Sequence, residues 1–388
     1  MRRLAPIALS ALALAVASPC AAEPYAWRGL MLDESRHFFG KDAVKRILDR
    51  MSKENYNYFH WHLTDHQGWR LQIRRYPELT DIASVRDVAE WKNLRTEGWL
   101  DPDREKYGPY FYTQEDVREI VAFAAERGIT VVPEIEIPGH CRALLKARPA
   151  MQCENVSEKL DMSELGYRCA VVCAGSDETV KFFENVLDEV CELFLSPIIH
   201  LGGDEVHTDF WESCPKCQAR IAKEGLSCEK SLKGWLMRHF ESYLASKGRR
   251  TGGWDEVAED GLSTNALVFC WHVGDTARKV AEAGYEVVMC PEEYCYFDFQ
   301  QGLDDGYVYH PRGYKVFPAL TVEKVGSFKP IAGIPDKLKC KVIGAQANNW
   351  TELTLDEKTL VWKIWPRATA LAKVLSDRKE GDCEDEGR

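Results

Sequence analysis

Pro197-Ile-Ile-His-Leu-Gly-Gly-Asp-Glu-Val206 is a short apolar run that ends in two glycines and two adjacent carboxylates. Such a run suits a strand buried on both faces, as in a parallel sheet. Gly202 and Gly203 let the backbone bend after it and leave room for a ligand beside Asp204 and Glu205. Neighbouring carboxylates cannot both ionise freely, so their proton affinities separate into an acid and a base. A strand with chemistry at its C-terminal end is the unit of a parallel barrel.

Working outward, seven more strand candidates appear: residues 27–32, 56–63, 130–137, 250–253, 267–271, 286–289 and 342–346. Amphipathic helices fall between them at 41–53, 114–127, 177–194, 230–247, 275–283 and 356–372. Thr113 and the acidic residues after it open the second helix, and Gly128 closes it. Strands alternating with helices predict an α/β fold, a (β/α)8 TIM barrel of one catalytic domain over residues 23–376. The segments between Gln67 and Thr113 and between Cys295 and Lys341 are too long for simple connections and are expected to build the rim of a site.

The strand-end rule then selects Asp65 and His66, Glu136 and His140, Asp204 and Glu205, Trp254, Trp271, and finally Trp350 with Glu352. Polar groups and tryptophans from most strands converge on one mouth. The chain holds 12 Trp, 15 Tyr and 15 Phe, and aromatic faces stack on the apolar faces of sugars.

Residues 1–22 read as a secretory signal: Arg2 and Arg3, an apolar run from Leu4 to Ala17, then small residues to Ala22. Export to the periplasm or medium is the expectation; Pro19 is a poor fit to a lipid anchor on Cys20. No later run reaches the ~18 apolar residues of a membrane span. The net charge of −11, with no Lys/Arg cluster, argues against nucleic acid or an anionic membrane as partner. Residues 377–388, rich in charge, are expected to form a disordered tail. Of the 14 cysteines, Cys214-Pro-Lys-Cys217 with Cys228 suggests a zinc knuckle or a disulfide, without a fourth ligand in view. Most others, Cys141, Cys270 and Cys290 among them, read as buried thiols. No metal or cofactor is otherwise called for, and the oligomeric state is left open.

Seven blocks occur in order: Arg28-Gly-Leu-Met-Leu-Asp33-Glu-Ser-Arg36, His60-Trp-His-Leu-Thr-Asp65-His-Gln-Gly-Trp69-Arg, Glu134-Ile-Glu136-Ile-Pro-Gly-His140, His200-Leu-Gly-Gly-Asp204-Glu205, Gly253-Trp254-Asp-Glu, Tyr294-Cys-Tyr296-Phe-Asp298 and Gln346-Ala-Asn-Asn-Trp350-Thr-Glu352. Together they resemble the family 20 glycoside hydrolases, the β-N-acetylhexosaminidases, from residue 27 to about 375. The resemblance implies retaining hydrolysis of a terminal β-linked N-acetylhexosamine from an oligosaccharide or glycoconjugate, without a nucleophile from the enzyme. Glu205 would be the general acid and base, Asp204 the partner of the acetamido N–H, and Tyr296 that of the acetamido oxygen. Asp65 and His140 would lie beneath Glu205, with Glu136 and His200 behind them. Arg36, Asp298 and Glu352 would bind hydroxyls, and Trp254, Trp271 and Trp350 would wall the sugar pocket.

The sequence departs from the family in several places. Glu136 stands where Asp is usual, which puts that relay in doubt. His66 replaces a frequent second Asp and is expected to make activity sensitive to pH near 6.5. Lys373 takes the place of a usual Glu, and with only the leader and a few residues before Trp27, a barrel without the small α/β domain that commonly precedes it is the expectation. Release of a disaccharide, as by lacto-N-biosidases, is the alternative within the family. A metal-dependent amidohydrolase barrel using His60, His62, His140, His200 and Asp204, or a non-catalytic sugar-binding barrel, are the alternatives outside it.

Overall fold

A computed structural model describes residues 24–88, 105–156, 168–302 and 319–377. The expected leader and most of the expected tail lie outside these residues, as do parts of both long segments. Eight parallel strands close a barrel in sequential order: β1 (Trp27–Asp33), β2 (Tyr58–His62), β3 (Thr130–Glu134), β4 (Ile198–His200), β5 (Arg250–Trp254), β6 (Leu267–Cys270), β7 (Glu286–Met289) and β8 (Val342–Asn349). Every strand candidate is found. β8 runs three residues beyond its expected end and closes the barrel by pairing with β1 from Trp27↔Gly344 to Leu32↔Asn349.

The outer ring follows from amphipathic spacing. α1 (Lys41–Lys53) buries Ala43, Val44, Ile47, Leu48 and Met51, one stripe at helical intervals. α2 (Gln114–Ala125) begins in a reciprocal capping box between Thr113 and Asp116, and Gly128 turns the chain out at φ +69°. α3 (Asp177–Leu193), α4 (Glu229–Ser246) and α5 (Thr276–Glu282) follow β3, β4 and β6. The last helix expected from the sequence is two, Glu357–Ile364 and Arg367–Ser376, because Pro366 interrupts it. After β5 there is a 3₁₀ segment, Asp255–Glu259, instead of a helix. Asp255 is used there as a clamp. It accepts from the Trp271 and His272 amides at 2.9 and 3.0 Å and fixes the end of β6.

The barrel interior is polar as well as apolar. Trp27 and Phe269 meet edge to face at 5.2 Å. His60, Glu134, His200 and Gln346 are also wholly buried inside. Among the described residues no helix is long and apolar enough to cross a membrane.

Candidate active site

At the C-terminal mouth, one cavity is lined by Arg36, His140, Asp204, Glu205, Trp254, Trp271, Glu292, Tyr296, Asp298, Phe299, Trp350 and Glu352. Ten of these were selected from the sequence, and they come from the ends of seven different strands or the loops after them. The aromatic wall is continuous. Trp254 and Trp350 lie 5.7 Å apart, Trp350 and Tyr296 6.1 Å, and Tyr296 and Trp271 6.3 Å. Trp254 is equally a core residue, 1% exposed, and donates from Nε1 to Glu134 at 2.8 Å.

Behind the wall sits a chain of charges. Arg36 donates to Asp33 at 3.1 Å and to Gln67 at 2.9 Å, pairs with Asp65 at 2.8 Å, and reaches 3.7 Å from Glu352. Asp65 lies 3.2 Å from His140 Nδ1, and His140 Nε2 lies 3.3 Å from Asp204 and 3.7 Å from Glu205. Burial alone would push the Asp65 carboxyl up, but Arg36 and then His140 hold it well below the usual carboxylate range. For His140, burial works against the charge, and the Asp65 and Asp204 carboxylates outweigh it, so the imidazole stays protonated well above the usual histidine range. A fixed cation therefore stands between Asp65 and the two carboxylates at the mouth.

Two of these residues have unusual backbones. His140 at φ +53° and Glu205 at φ +48° occupy the left-handed region without being glycine. Gly202 and Gly203, at φ +67° and +87°, make the turn that aims Asp204 and Glu205. The space beside them is not left for a ligand, however. A Cβ on Gly202 would meet Glu136 Oε2 at 1.9 Å, and one on Gly203 would meet Val257 at 2.5 Å. The glycines make room for the protein's own side chains.

Glu136 and His200 do not line the cavity. The longer side chain at 136 reaches His62, with Oε1 3.3 Å from Nε2, and presses its other oxygen against Gly202. Burial, with Asp204 adding to it, pushes its carboxyl well above the usual range. His200 lies deeper, 2.8 Å from Glu134. The suggested metal set thus divides. His60 and His200 gather on Glu134, His62 bridges Asp33 and Glu136, and His140 belongs to the mouth. His66 corrects an expectation. Its buried ring is tilted against His140 with centroids 4.7 Å apart, and burial and then that cation push its pKa well below the usual histidine value, away from neutrality.

The sequence reading passed over Glu292 and Phe299 on the lining, and Asp33 and Glu256 around it. Asp33 and Glu256 stood in quoted blocks, and Glu292 follows the end of β7 closely enough for the strand-end rule to find it. Glu256 accepts from Trp271 Nε1 at 3.1 Å, and burial followed by Asp204 raises its pKa to about 8. Burial and then Glu352 likewise raise Asp298.

Cys228 is also a correction. It is exposed at the start of α4, against Ser227 and Ser231, whereas Cys214 and Cys217 lie buried with Cys153 and Cys173.

Three carboxylate oxygens around the cavity, Asp204 Oδ1, Asp298 Oδ1 and Glu352 Oε2, are buried and accept no hydrogen bond from the described residues. Buried acceptors without donors are costly. Between aromatic faces, they suit a ligand that brings several O–H or N–H groups on an otherwise apolar ring.

Residues 25–377 match the family described as glycosyl hydrolase family 20, catalytic domain. Beta-hexosaminidase of Vibrio furnissii is 38% identical over 362 residues, 92% of this chain and 57% of that protein. Beta-hexosaminidase of Porphyromonas gingivalis is 37% identical over 352 residues, 90% of this chain and 43% of that protein. The solved structure of the GH20 exo-β-N-acetylglucosaminidase from Vibrio harveyi in complex with N-acetylglucosamine superposes with a TM-score of 0.79 at 32% identity. It covers 93% of this chain and 55% of that one. The chain thus spans about half the length of these relatives.

Proposed function

The chain belongs to glycosyl hydrolase family 20, and from that premise we propose that it is an exo-acting β-N-acetylhexosaminidase. It removes terminal β-linked GlcNAc or GalNAc with retention, through an oxazolinium intermediate. The observation that carries this reading is the set of buried, unpartnered carboxylate oxygens on a tryptophan-walled cavity. The names of the curated relatives support it.

The substrate's acetamido oxygen attacks C1 while Glu205 gives its proton to the departing glycosidic oxygen, and the C1–O bond breaks. Asp204 accepts from the acetamido N–H as positive charge develops on that group, an electrostatic role set in advance. The Tyr296 hydroxyl donates to the acetamido oxygen and aims it at C1; such placement contributes on the order of 7–11 kcal/mol in well-oriented systems. Glu205 then takes a proton from water as water opens the oxazolinium ring. Protonated His140, braced by Asp65, holds both carboxylates of the mouth in register. Arg36, Asp298 and Glu352 bind sugar hydroxyls, a forked guanidinium suiting two oxygens. The basic start and the apolar run from Leu4 to Ala17 support export, and with it an activity outside the cytoplasm.

The test is a chromogenic β-GlcNAc or β-GalNAc glycoside. Wild type is expected to release the leaving group and to be inhibited by a thiazoline analogue of the oxazolinium ion. Asp204→Asn should lose kcat far more than it raises KM. No release by wild type, or equal release by Glu205→Gln, would sink the reading.

A further inference from the structure

We propose that Cys153, Cys173, Cys214 and Cys217 form a tetrahedral zinc tetrathiolate that ties the loop after β3 to the loop after β4. The inference is independent of the glycosidase reading. All four side chains are buried, at 3% exposure or less, and all four sulfurs lie within 4.8 Å of one another. Cys173 Sγ is 3.7 Å from Cys217 Sγ and 3.8 Å from Cys214 Sγ, and Cys153 Sγ is 3.9 Å from Cys217 Sγ. Four thiolates at the zinc–sulfur distance of about 2.3 Å stand at the corners of a tetrahedron whose edges are roughly 3.8 Å. A disulfide would instead bring one pair to about 2.05 Å.

The backbone around the cluster is that of a metal knuckle. Cys214-Pro-Lys-Cys217 opens the helix Pro215–Glu224, with Cys214 as its cap and Pro at its first position, and a helix N-terminus favours thiolates. The turn at Cys173 is closed by Ser176 N donating to Cys173 O at 3.2 Å, and the turn at Cys153 by Val156 N donating to Cys153 O at 3.1 Å. Gly175 packs so tightly on the 216–217 peptide that a Cβ there would lie 2.2 Å from Lys216 C. Four sulfurs on one centre leave no room for the inorganic sulfide of an iron–sulfur cluster, and zinc is the metal a closed, redox-silent tetrathiolate site takes. Binding is balanced: one Zn²⁺ replaces four thiol protons, which are released to solvent.

Such a site acts on the mouth by position. The Trp211 indole donates to Val172 O at 3.1 Å, and Asn155 donates to Phe210 O at 3.1 Å, so the two loops already meet beside the cluster. Val172 N donates to Pro138 O at 3.0 Å and Cys141 N to Ala170 O at 3.1 Å, which joins the same loop to the turn of His140.

The full chain, purified without chelator or added metal, is expected to carry one zinc per molecule. Its zinc-edge X-ray absorption should show four sulfurs at about 2.3 Å. Cobalt exchanged into it should show the thiolate charge-transfer and intense d–d bands of a tetrahedral site. Cys173→Ser and Cys217→Ser should lose about tenfold or more of the bound zinc, with a lower Tm, while Cys228→Ser keeps both. Four free thiols without metal in the wild type, a disulfide among the four, iron in place of zinc, or nitrogen and oxygen ligands at the absorption edge would each overturn the assignment. None of these readouts depends on turnover.

Discussion

Two groups of histidine and carboxylate stand one above the other in this barrel. Inside the barrel, Glu134 is enclosed by His60 at 3.0 Å, His200 at 2.8 Å and the Trp254 indole at 2.8 Å, with nothing exposed. At the mouth, His140 is held between Asp65 and Asp204, and one side opens on the cavity. The residue types are the same. What differs is where the charge can go: below, every partner is another part of the barrel wall; above, acceptors remain for a ligand. Burial opposes ionisation of Glu134, yet His200, His62 and then His60 hold its carboxyl well below the usual range, while burial drives His60 itself down to about 4. The lower group spends its charges on itself.

The comparison predicts opposite phenotypes. Glu205→Gln removes the proposed general acid and should cut kcat by roughly 10²–10⁴-fold, with Tm unchanged within error by calorimetry. A matching loss of Tm would erase the distinction between the groups. Glu134→Gln strips the centre of the lower group and should cost about 3–5 kcal/mol in denaturant unfolding, the range for breaking a buried ion pair. The kcat of its remaining folded fraction should stay near wild type. Arg36 touches both groups through Asp33 and Asp65, so Arg36→Lys should show both effects in reduced form. A loss of roughly 1.5–3 kcal/mol in kcat/KM is expected from the charge-assisted hydrogen bonds, along with a measurable fall in Tm.

A further effect concerns pH. Glu34, beside Asp33 in sequence and wholly buried, has its pKa raised by burial to about 8. Between its ordinary 4.5 and about 8, the folded state keeps a proton that the unfolded state has lost. Its contribution therefore lowers stability as pH rises through that window, by at most about 1.4 kcal/mol per pH unit. Unfolding curves of Glu34→Gln and wild type should converge toward pH 4.5 and separate toward pH 8 in favour of the variant. Parallel curves would contradict the assignment.

Much of this was legible in the chain. The strands announced themselves as apolar runs because both faces of a parallel barrel are buried. The strand-end rule found seven lining residues, and the family resemblance added Arg36, Tyr296 and Asp298. The depth of a residue was not legible. His62 and His200 sit on strands like any site residue, and only the closed barrel separates those that face the mouth from those that face one another. The role of Gly202 was misread for a related reason: its close contact is with Glu136, distant in sequence. Cys153 and Cys173 were missed as partners of Cys214 and Cys217 because no spacing rule links two different loops. The helix absent after β5 left its trace only as a connection without apolar periodicity.

Among the described residues, three other than glycine have positive φ: Asn55, whose amide side chain tolerates it, and His140 and Glu205, which face each other across the mouth. Conformations of this kind cost of order 1–3 kcal/mol each. Selection for heat tolerance alone, blind to turnover, would therefore favour glycine at Glu205, whose side chain is exposed, whereas at His140 the buried pairs with Asp65 and Asp204 outweigh the strain. The chain would gain robustness where it lost its proposed proton donor. The Glu205 torsion would then record how much durability is given up for the proposed reaction, and a stabilised library of this barrel should lose it first.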